Sequence, residues 1–138
     1  MIVQDKNFSD IKIGDSASFE KIITADDLDK FADLSGDHNP LHMDEKYAAR
    51  SEFKSRVVFG MLLGAWVSRL VGMDLPGKKA LLLKEGLEFK KPAYIGDKIL
   101  VKGTVTHKSE ATRLLDLAIE ISKDKELLST GSVQVRVL

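Results

Sequence analysis

Residues 60–73 read GMLLGAWVSRLVGM, and this stretch does most to decide the fold. Every position except Ser68 and Arg69 is apolar or glycine, over a length of about four helical turns. A helix that is apolar nearly all round is buried rather than lying amphipathically on a surface. The run is too short to span a bilayer. We therefore predict a buried central helix, to which Gly64 and Gly72 would let other backbones come close.

The sequence after this helix changes from helical to alternating periodicity. Apolar residues alternate with others over Ile99–Val105, Leu115–Ile121 and Val133–Val137, and a further β-rich segment, Asp10–Ile23, precedes the helix. Such alternation is typical of antiparallel strands with one buried face. The pattern predicts an α+β fold, in which a curved antiparallel sheet of about five strands wraps around the central helix.

Two shorter helices are predicted between the first strand and the central helix. Thr24 resembles an N-cap, since acidic residues follow it in the first turn and apolar residues then keep helical spacing. We expect this helix to end at Ser35-Gly36. Asp44 is the candidate cap of a second helix that continues through Ala49.

The composition indicates one globular domain over residues 1–138. Lys and Arg together number 21, as do Asp and Glu, so no overall field would attract nucleic acid or an anionic membrane. The chain has no cysteine, which excludes disulfides and thiol nucleophiles and fits a reducing compartment. The N-terminus lacks the basic and apolar regions of a signal peptide. We therefore expect a cytoplasmic protein.

The stretch SGDHNPLHMD, residues 35–44, holds two of the three histidines of the chain. Because a residue before proline is pushed towards extended conformations, Asn39-Pro40 predicts that Asp37 and His42 lie on a turning loop. Such a loop can direct both side chains at one point. A carboxylate and an imidazole that converge on one water form a general acid/base pair.

Four interpretations of this stretch compete. The residues can be purely structural, because Asp and Asn make turns and caps and Gly permits positive φ. Asp37, His38, His42 and Asp44 can form a metal site, although Asp37 and His38 would then have to point the same way. Asp37 and His42 can act as an acid/base pair, or the loop can bind a ligand without chemistry.

SGDHNPLHMD resembles the hydratase motif of the MaoC-like family of (R)-specific enoyl-CoA hydratases, which have the hot-dog fold. The positions that match are Phe31, Gly36, Asp37, Asn39, Pro40, Leu41, His42 and Asp44. The resemblance continues through VVFGMLLGAWVSRLVG and DLPGKKALLL to LEFKKPAYIGDKI. It covers most of the chain and implies a single MaoC-like hot-dog domain over residues 1–138.

The resemblance also assigns roles to individual residues. It places the catalytic pair of the family on Asp37 and His42, and an active-site serine of the central helix on Ser68. The backbone N–H that receives the thioester oxygen falls on Gly60, at the start of that helix. Asn39 corresponds to the loop asparagine of the family, for which we expect a supporting role in substrate binding.

The two residues that flank Gly60 are expected to contact the substrate. The position before this glycine is often His or Pro in the family, whereas here it is Phe59. That change leaves the Gly60 N–H intact but alters the pocket wall, and with it the acyl preference; the alternative is that Phe59 is an ordinary core residue. Met61 follows Gly60 and is predicted to line the same pocket.

The activity that the resemblance implies is that of a hydro-lyase, the reversible hydration of trans-2-enoyl-CoA to (R)-3-hydroxyacyl-CoA. The reaction builds negative charge on the thioester oxygen, and a helix N-terminus stabilises such charge. Two alternatives stay open: a hot-dog acyl-CoA thioesterase, and a non-catalytic acyl-CoA-binding protein. The sequence does not choose an acyl chain length, or between coenzyme A and acyl carrier protein.

The resemblance further implies how the protein is assembled and what it needs. Hot-dog proteins commonly pair, so we expect a homodimer or a dimer of dimers, with acyl-CoA as the small-molecule partner. Coenzyme A would serve only as the thioester carrier of the substrate. No metal or redox cofactor is implied, and neither nucleic acid nor a membrane is an expected partner.

Overall fold

A computed structural model describes residues 1–138 and contains one five-stranded antiparallel sheet. The order of the strands across the sheet is β1-β3-β4-β5-β2, so that β1 and β2 form its edges. The strands are β1 (Ser16–Ile22), β2 (Ala80–Phe89), β3 (Lys98–Ser109), β4 (Leu114–Lys123) and β5 (Glu126–Val137). The predicted number of strands and the antiparallel pairing are confirmed.

The helices all lie between β1 and β2 in the sequence, apart from a 3-10 turn at Phe8–Asp10. They are α1 (Ala25–Ser35), α2 (Pro40–Met43), α3 (Glu45–Arg50) and α4 (Gly60–Met73). Helix α4 has the bounds that its apolar run predicted, and it packs against β1, β2 and β3. None of the helices combines the length and the apolar character that crossing a bilayer would require.

The predicted ends of α1 and the predicted start of α3 are confirmed, and α3 continues one residue beyond the predicted Ala49. Thr24 and Asp27 form a capping box at the start of α1, and Gly36 ends the helix in the left-handed conformation at φ 78°. The Asp44 carboxylate accepts a hydrogen bond from the Tyr47 N–H and caps α3. These ends depend on local chemistry, so the sequence was sufficient to place them.

The core lies between the concave face of the sheet and α4. Its members alternate along β3, β4 and β5 as the period of two predicted; those of the central strand are Leu115, Leu117, Ile119 and Ile121. Gly103 of β3 lets the helix come close, because a Cβ there would lie 2.7 Å from a methyl carbon of Leu70. Bulges interrupt β2 between Leu82 and Lys84 and β3 between Val105 and His107, and bulges increase strand curvature.

The central helix is less completely buried than its composition predicted. Its sheet-facing side is in the core, but a stripe on the opposite side remains exposed in the single chain. That stripe consists of Met61, Ala65, Ser68 and Gly72, which recur every three or four residues. The apolar residues of α4 are therefore buried where the helix faces the sheet and exposed on the opposite side.

Candidate active site

A cavity of about 460 Å³ opens at the N-terminus of α4. It is lined by Phe31, Ser35, Asp37, His42, Phe59, Gly60, Met61 and Phe89. Five of the seven site residues predicted from the sequence are thus brought together, and Asn39 and Ser68 are the two that do not line this cavity. The segments that form it meet only through the tertiary fold.

The position of His42 differs from the turning loop that the sequence predicted. His42 lies within α2, a single helical turn, while Asp37 is in the loop before it. The turn forms because Pro40 occupies its first position, where the missing N–H costs nothing. Asn39 stays extended, as expected before proline, and its Oδ1 accepts a hydrogen bond from the Leu41 N–H at 2.9 Å.

The imidazole of His42 has a fixed orientation. Its Nδ1 lies 2.6 Å from the carbonyl oxygen of Val57, which can only accept, so Nδ1 carries the proton. In the neutral ring Nε2 is then left as the acceptor. The ring also packs on Phe59 with centroids 4.2 Å apart, and Phe59 packs on Phe31 at 4.8 Å. His42 is therefore held in the tautomer that a general base requires.

Arg56 connects the main chain of this histidine to a side chain of α1. Its Nε donates to the His42 carbonyl oxygen at 2.6 Å, and its terminal nitrogen contacts the Asp29 carboxylate of α1 at 3.1 Å. The Arg56 side chain is 9% exposed, whereas that of its partner Asp29 is 57% exposed, so only the contact to the His42 carbonyl oxygen is shielded from solvent. The arginine thus joins α1, which leads to Asp37, to α2, which carries His42. No local motif links positions 29, 42 and 56, so the sequence alone gives no signal for this role of Arg56.

Asp37 is exposed at the edge of the cavity and belongs to a short turn. Its Oδ1 accepts a hydrogen bond from the Asn39 N–H at 3.1 Å, and its own N–H donates to the Ser35 hydroxyl at 3.1 Å. Aspartate side chains commonly stabilise turns in this way. Oδ2 makes no hydrogen bond within the chain, so it is available to a water or a ligand in the cavity.

The N-terminus of α4 supplies the positive end of the site. The first N–H groups of a helix have no partner within the helix, and no side chain caps this one. Gly60 is its first residue, and the Phe89 ring lies over it so closely that a Cβ would be 2.8 Å from Cζ of Phe89. A carbonyl oxygen that reaches Gly60 would meet an unpaired N–H and the partial positive charge of the helix.

Ser68 and Asn39 lie away from the cavity. Ser68 is in the exposed stripe of α4, two turns or about 12 Å along the helix from Gly60. Asn39 uses its side-chain oxygen to cap α2, which makes its contribution to His42 indirect. The alternative metal site at Asp37, His38, His42 and Asp44 does not assemble, because no group of three or more such side chains is arranged to hold an ion.

Comparison with known proteins agrees with the geometry. Residues 10–125 match the family model described as MaoC like domain. An (R)-specific enoyl-CoA hydratase of Rhodospirillum rubrum is 44% identical over 99 residues, 72% of this chain and 69% of that protein. A 3-hydroxybutyryl-CoA dehydratase of Methylorubrum extorquens is 33% identical over 130 residues, 94% of this chain and 83% of that protein.

The solved structures give the same result. The structure of the (R)-hydratase from A. caviae superposes with a TM-score of 0.90 at 35% identity, covering 94% of this chain and 98% of that one. Similarity at this level over nearly the whole of both chains confirms the hot-dog fold that the motif implied.

Proposed function

The chain belongs to the MaoC-like dehydratase family, and we propose that it is an (R)-specific enoyl-CoA hydratase. It would add water reversibly to trans-2-enoyl-CoA and so produce (R)-3-hydroxyacyl-CoA. The observation that carries this proposal is that Asp37, His42 and Gly60 line one cavity. An acid/base pair thereby faces a helix N-terminus, which is the arrangement that hydration of an enoyl thioester needs.

In the proposed mechanism the thioester oxygen accepts a hydrogen bond from the Gly60 N–H. Electron density moves onto this oxygen as water attacks the β-carbon, so the hydrogen bond and the helix charge strengthen in the transition state. One preorganised donor of this kind is worth about 3 kcal/mol of barrier. Gly60 has no side chain to block a thioester, and the atoms nearest to its Cβ position belong to the Phe89 ring.

Asp37 and His42 would hold the attacking water on the other side of the substrate. The water oxygen bonds to the β-carbon, one proton of the water passes to the pair, and the pair supplies one proton to the α-carbon. Nε2 of His42 can accept the proton, because Nδ1 already donates to Val57. The same pair would run the reverse reaction by microscopic reversibility, which makes the protein a dehydratase as well.

Phe59 and Met61 are proposed to contact the acyl chain, since both line the cavity. Phe59 is also in the core and packs on His42, so the two interpretations made from the sequence hold together. Asn39 would act through the cap that positions His42. For Ser68 we propose a role at the site only in an assembly that covers the exposed stripe of α4.

We propose that this assembly is a homodimer formed through β2 and α4. Strand β2 pairs on one side only, and it exposes Leu81 and Leu83 at 43% and 50%. An open edge with exposed apolar residues is a surface that proteins normally cover. The small side chains of the α4 stripe would let the helix of a second copy come close. A dimer of dimers stays open as the larger alternative.

The proposed reaction requires no redox cofactor, because water addition leaves the overall oxidation state unchanged; that it needs no metal remains a prediction. Coenzyme A would be present only as the carrier of the acyl chain. The cytoplasmic location remains a prediction.

The test is incubation of the purified protein with crotonyl-CoA, followed by analysis of the product. We expect loss of the enoyl-thioester absorbance and formation of the (R) enantiomer of 3-hydroxybutyryl-CoA. In the reverse direction, (R)-3-hydroxybutyryl-CoA should be dehydrated and the (S) enantiomer left unchanged. Release of free coenzyme A thiol would instead identify a thioesterase, and binding of crotonyl-CoA without turnover would identify a non-catalytic protein.

A further inference from the structure

A second, smaller cavity adjoins the candidate active site. It has a volume of about 130 Å³ and is lined by Met61, Gly64, Glu85, Leu87 and Phe89. Met61 and Phe89 also line the larger cavity, so these two side chains form the partition between them. Both are flexible side chains on exposed positions, at 71% and 49%, and can move aside for a ligand.

Each of the two cavities lies beside a close contact between a glycine of α4 and a side chain of β2. Phe89 lies over Gly60, and Glu85 lies over Gly64, where a Cβ would be 3.0 Å from Oε1 of the glutamate. The two glycines are one helical turn or about 6 Å apart, and the two strand residues are on the same face of β2. The two cavities therefore lie side by side between helix and strand, the larger at Gly60 and the smaller at the Glu85 carboxyl group.

The Glu85 carboxyl group is unusually placed. Oε1 is buried and has no hydrogen-bond partner, and the surrounding side chains of the cavity are apolar. Burial raises the pKa of Glu85, and no cation offsets this effect. A buried polar atom without a partner is costly, so its presence beside a substrate cavity calls for a functional explanation.

We propose that Glu85 closes the distal end of the acyl site and selects short enoyl chains over long aliphatic ones, an inference that rests on the proposed function. In this proposal a crotonyl chain whose thioester oxygen is at Gly60 occupies only the larger cavity, which Met61 and Phe89 line on one side. A longer aliphatic chain enters the second cavity and displaces the remaining solvent from the carboxyl group. The carboxyl group gains no hydrogen bond in exchange, so long chains are penalised.

The test compares kcat/KM for crotonyl-CoA and trans-2-octenoyl-CoA in the wild type and in three variants. Glu85→Met keeps the length of the side chain and makes it apolar, whereas Glu85→Gln keeps the shape and removes the charge. Glu88→Met is the matched control, because Glu88 is on the outward face of the same strand with its side chain 77% exposed. We expect Glu85→Met to raise the octenoyl-to-crotonyl ratio about tenfold or more.

Glu85→Gln should shift the ratio in the same direction by less, and Glu88→Met should leave it unchanged. An unchanged ratio in Glu85→Met, with crotonyl-CoA still hydrated, would overturn the role of Glu85 and leave the proposed function intact. A loss of oligomer in Glu85→Met without a change of ratio would assign Glu85 to the subunit interface and also overturn it. If the wild type hydrates neither substrate, it is the proposed function that fails.

Discussion

The sheet core and the segment that carries the site are stabilised by different interactions. In β3, β4 and β5 the main chains pair with one another and their inner faces are fully buried. Between α1 and α4, residues 36–59, only Ala48, Val58 and Phe59 are buried. This segment is fixed instead by side-chain hydrogen bonds to the main chain, including those of Asn39, Asp44 and Arg56.

The difference shows how the fold separates stability from chemistry. Burial of apolar surface supplies most of the favourable free energy of folding, and it depends on the buried area and not on the relative orientation of the groups. Hydrogen bonds contribute less but fix angles, which is what a reacting pair requires. Substitutions in the two regions should therefore have different effects, the first on unfolding and the second on turnover.

Asp37→Asn should have the largest effect on turnover with little effect on stability. The asparagine oxygen can still accept from the Asn39 N–H, so the turn is kept while the charge is lost. We expect kcat to fall about 10²- to 10⁴-fold, measured as initial rates with crotonyl-CoA. Asp33→Asn is the control, since Asp33 is 82% exposed on the neighbouring helix. A rate within threefold of the wild type would contradict the proposed role.

Leu117→Ala should have the opposite profile. Leu117 is fully buried in β4, at the centre of the sheet, and its truncation leaves a cavity. We expect the free energy of unfolding in urea to fall by about 2–5 kcal/mol, with kcat per folded molecule unchanged. Leu34→Ala, at a position 88% exposed, should change neither quantity. A fall in kcat of the folded Leu117 variant would show that the two regions are coupled.

Arg56→Ala tests the link between α1 and α2. Loss of the contacts to the His42 carbonyl oxygen and to Asp29 should let the proposed catalytic pair shift. We expect kcat to fall about 10- to 100-fold with a smaller change in KM, since a misplacement of about 1 Å has an effect of that size. Asp29→Asn should reduce kcat less, because it weakens only one of the contacts. If kcat is unchanged and the melting temperature is lower, Arg56 contributes to stability and does not position the pair.

Glu85→Gln should have the smallest effect of these substitutions, a change in melting temperature that depends on pH. The pKa of Glu85 is raised in the folded chain, so the folded state binds this proton more tightly than the unfolded state does. Ionisation therefore lowers stability as the pH rises above the ordinary glutamate range. The melting temperature of Glu85→Gln should exceed that of the wild type near pH 7, and the difference should vanish below about pH 4. A difference that does not vary with pH would contradict this explanation.

The elements that the sequence predicted well have local causes. The ends of α1 and α3 depend on Thr24, Gly36 and Asp44, and α4 depends on one uninterrupted apolar run. The proposed catalytic pair, Asp37 and His42, belongs to a motif whose residues are close in the chain. The single-turn helix at His42 departs from the prediction because Pro40, which disfavours helix at Asn39, itself favours the first turn of the helix that follows.

The features that the sequence did not predict arise from tertiary contacts. Arg56 meets Asp29 and the His42 carbonyl oxygen across long separations in the chain. Glu85 becomes unusual only because β2 places it over Gly64. The exposure of Ser68 likewise depends on which side of α4 the sheet covers. Neither periodicity nor capping signals indicate which residues distant in the chain come into contact.

The most direct test of the proposed mechanism is to compare the hydration of crotonyl-CoA by the wild type and by the His42→Asn variant. The asparagine amide can take the place of Nδ1 as donor to the Val57 carbonyl oxygen, while Nε2 is lost. We expect formation of (R)-3-hydroxybutyryl-CoA by the wild type, and a rate at least about a hundredfold lower in a variant of unchanged melting temperature. Comparable rates from the two proteins would contradict the central claim that the imidazole of His42 takes part in the chemistry.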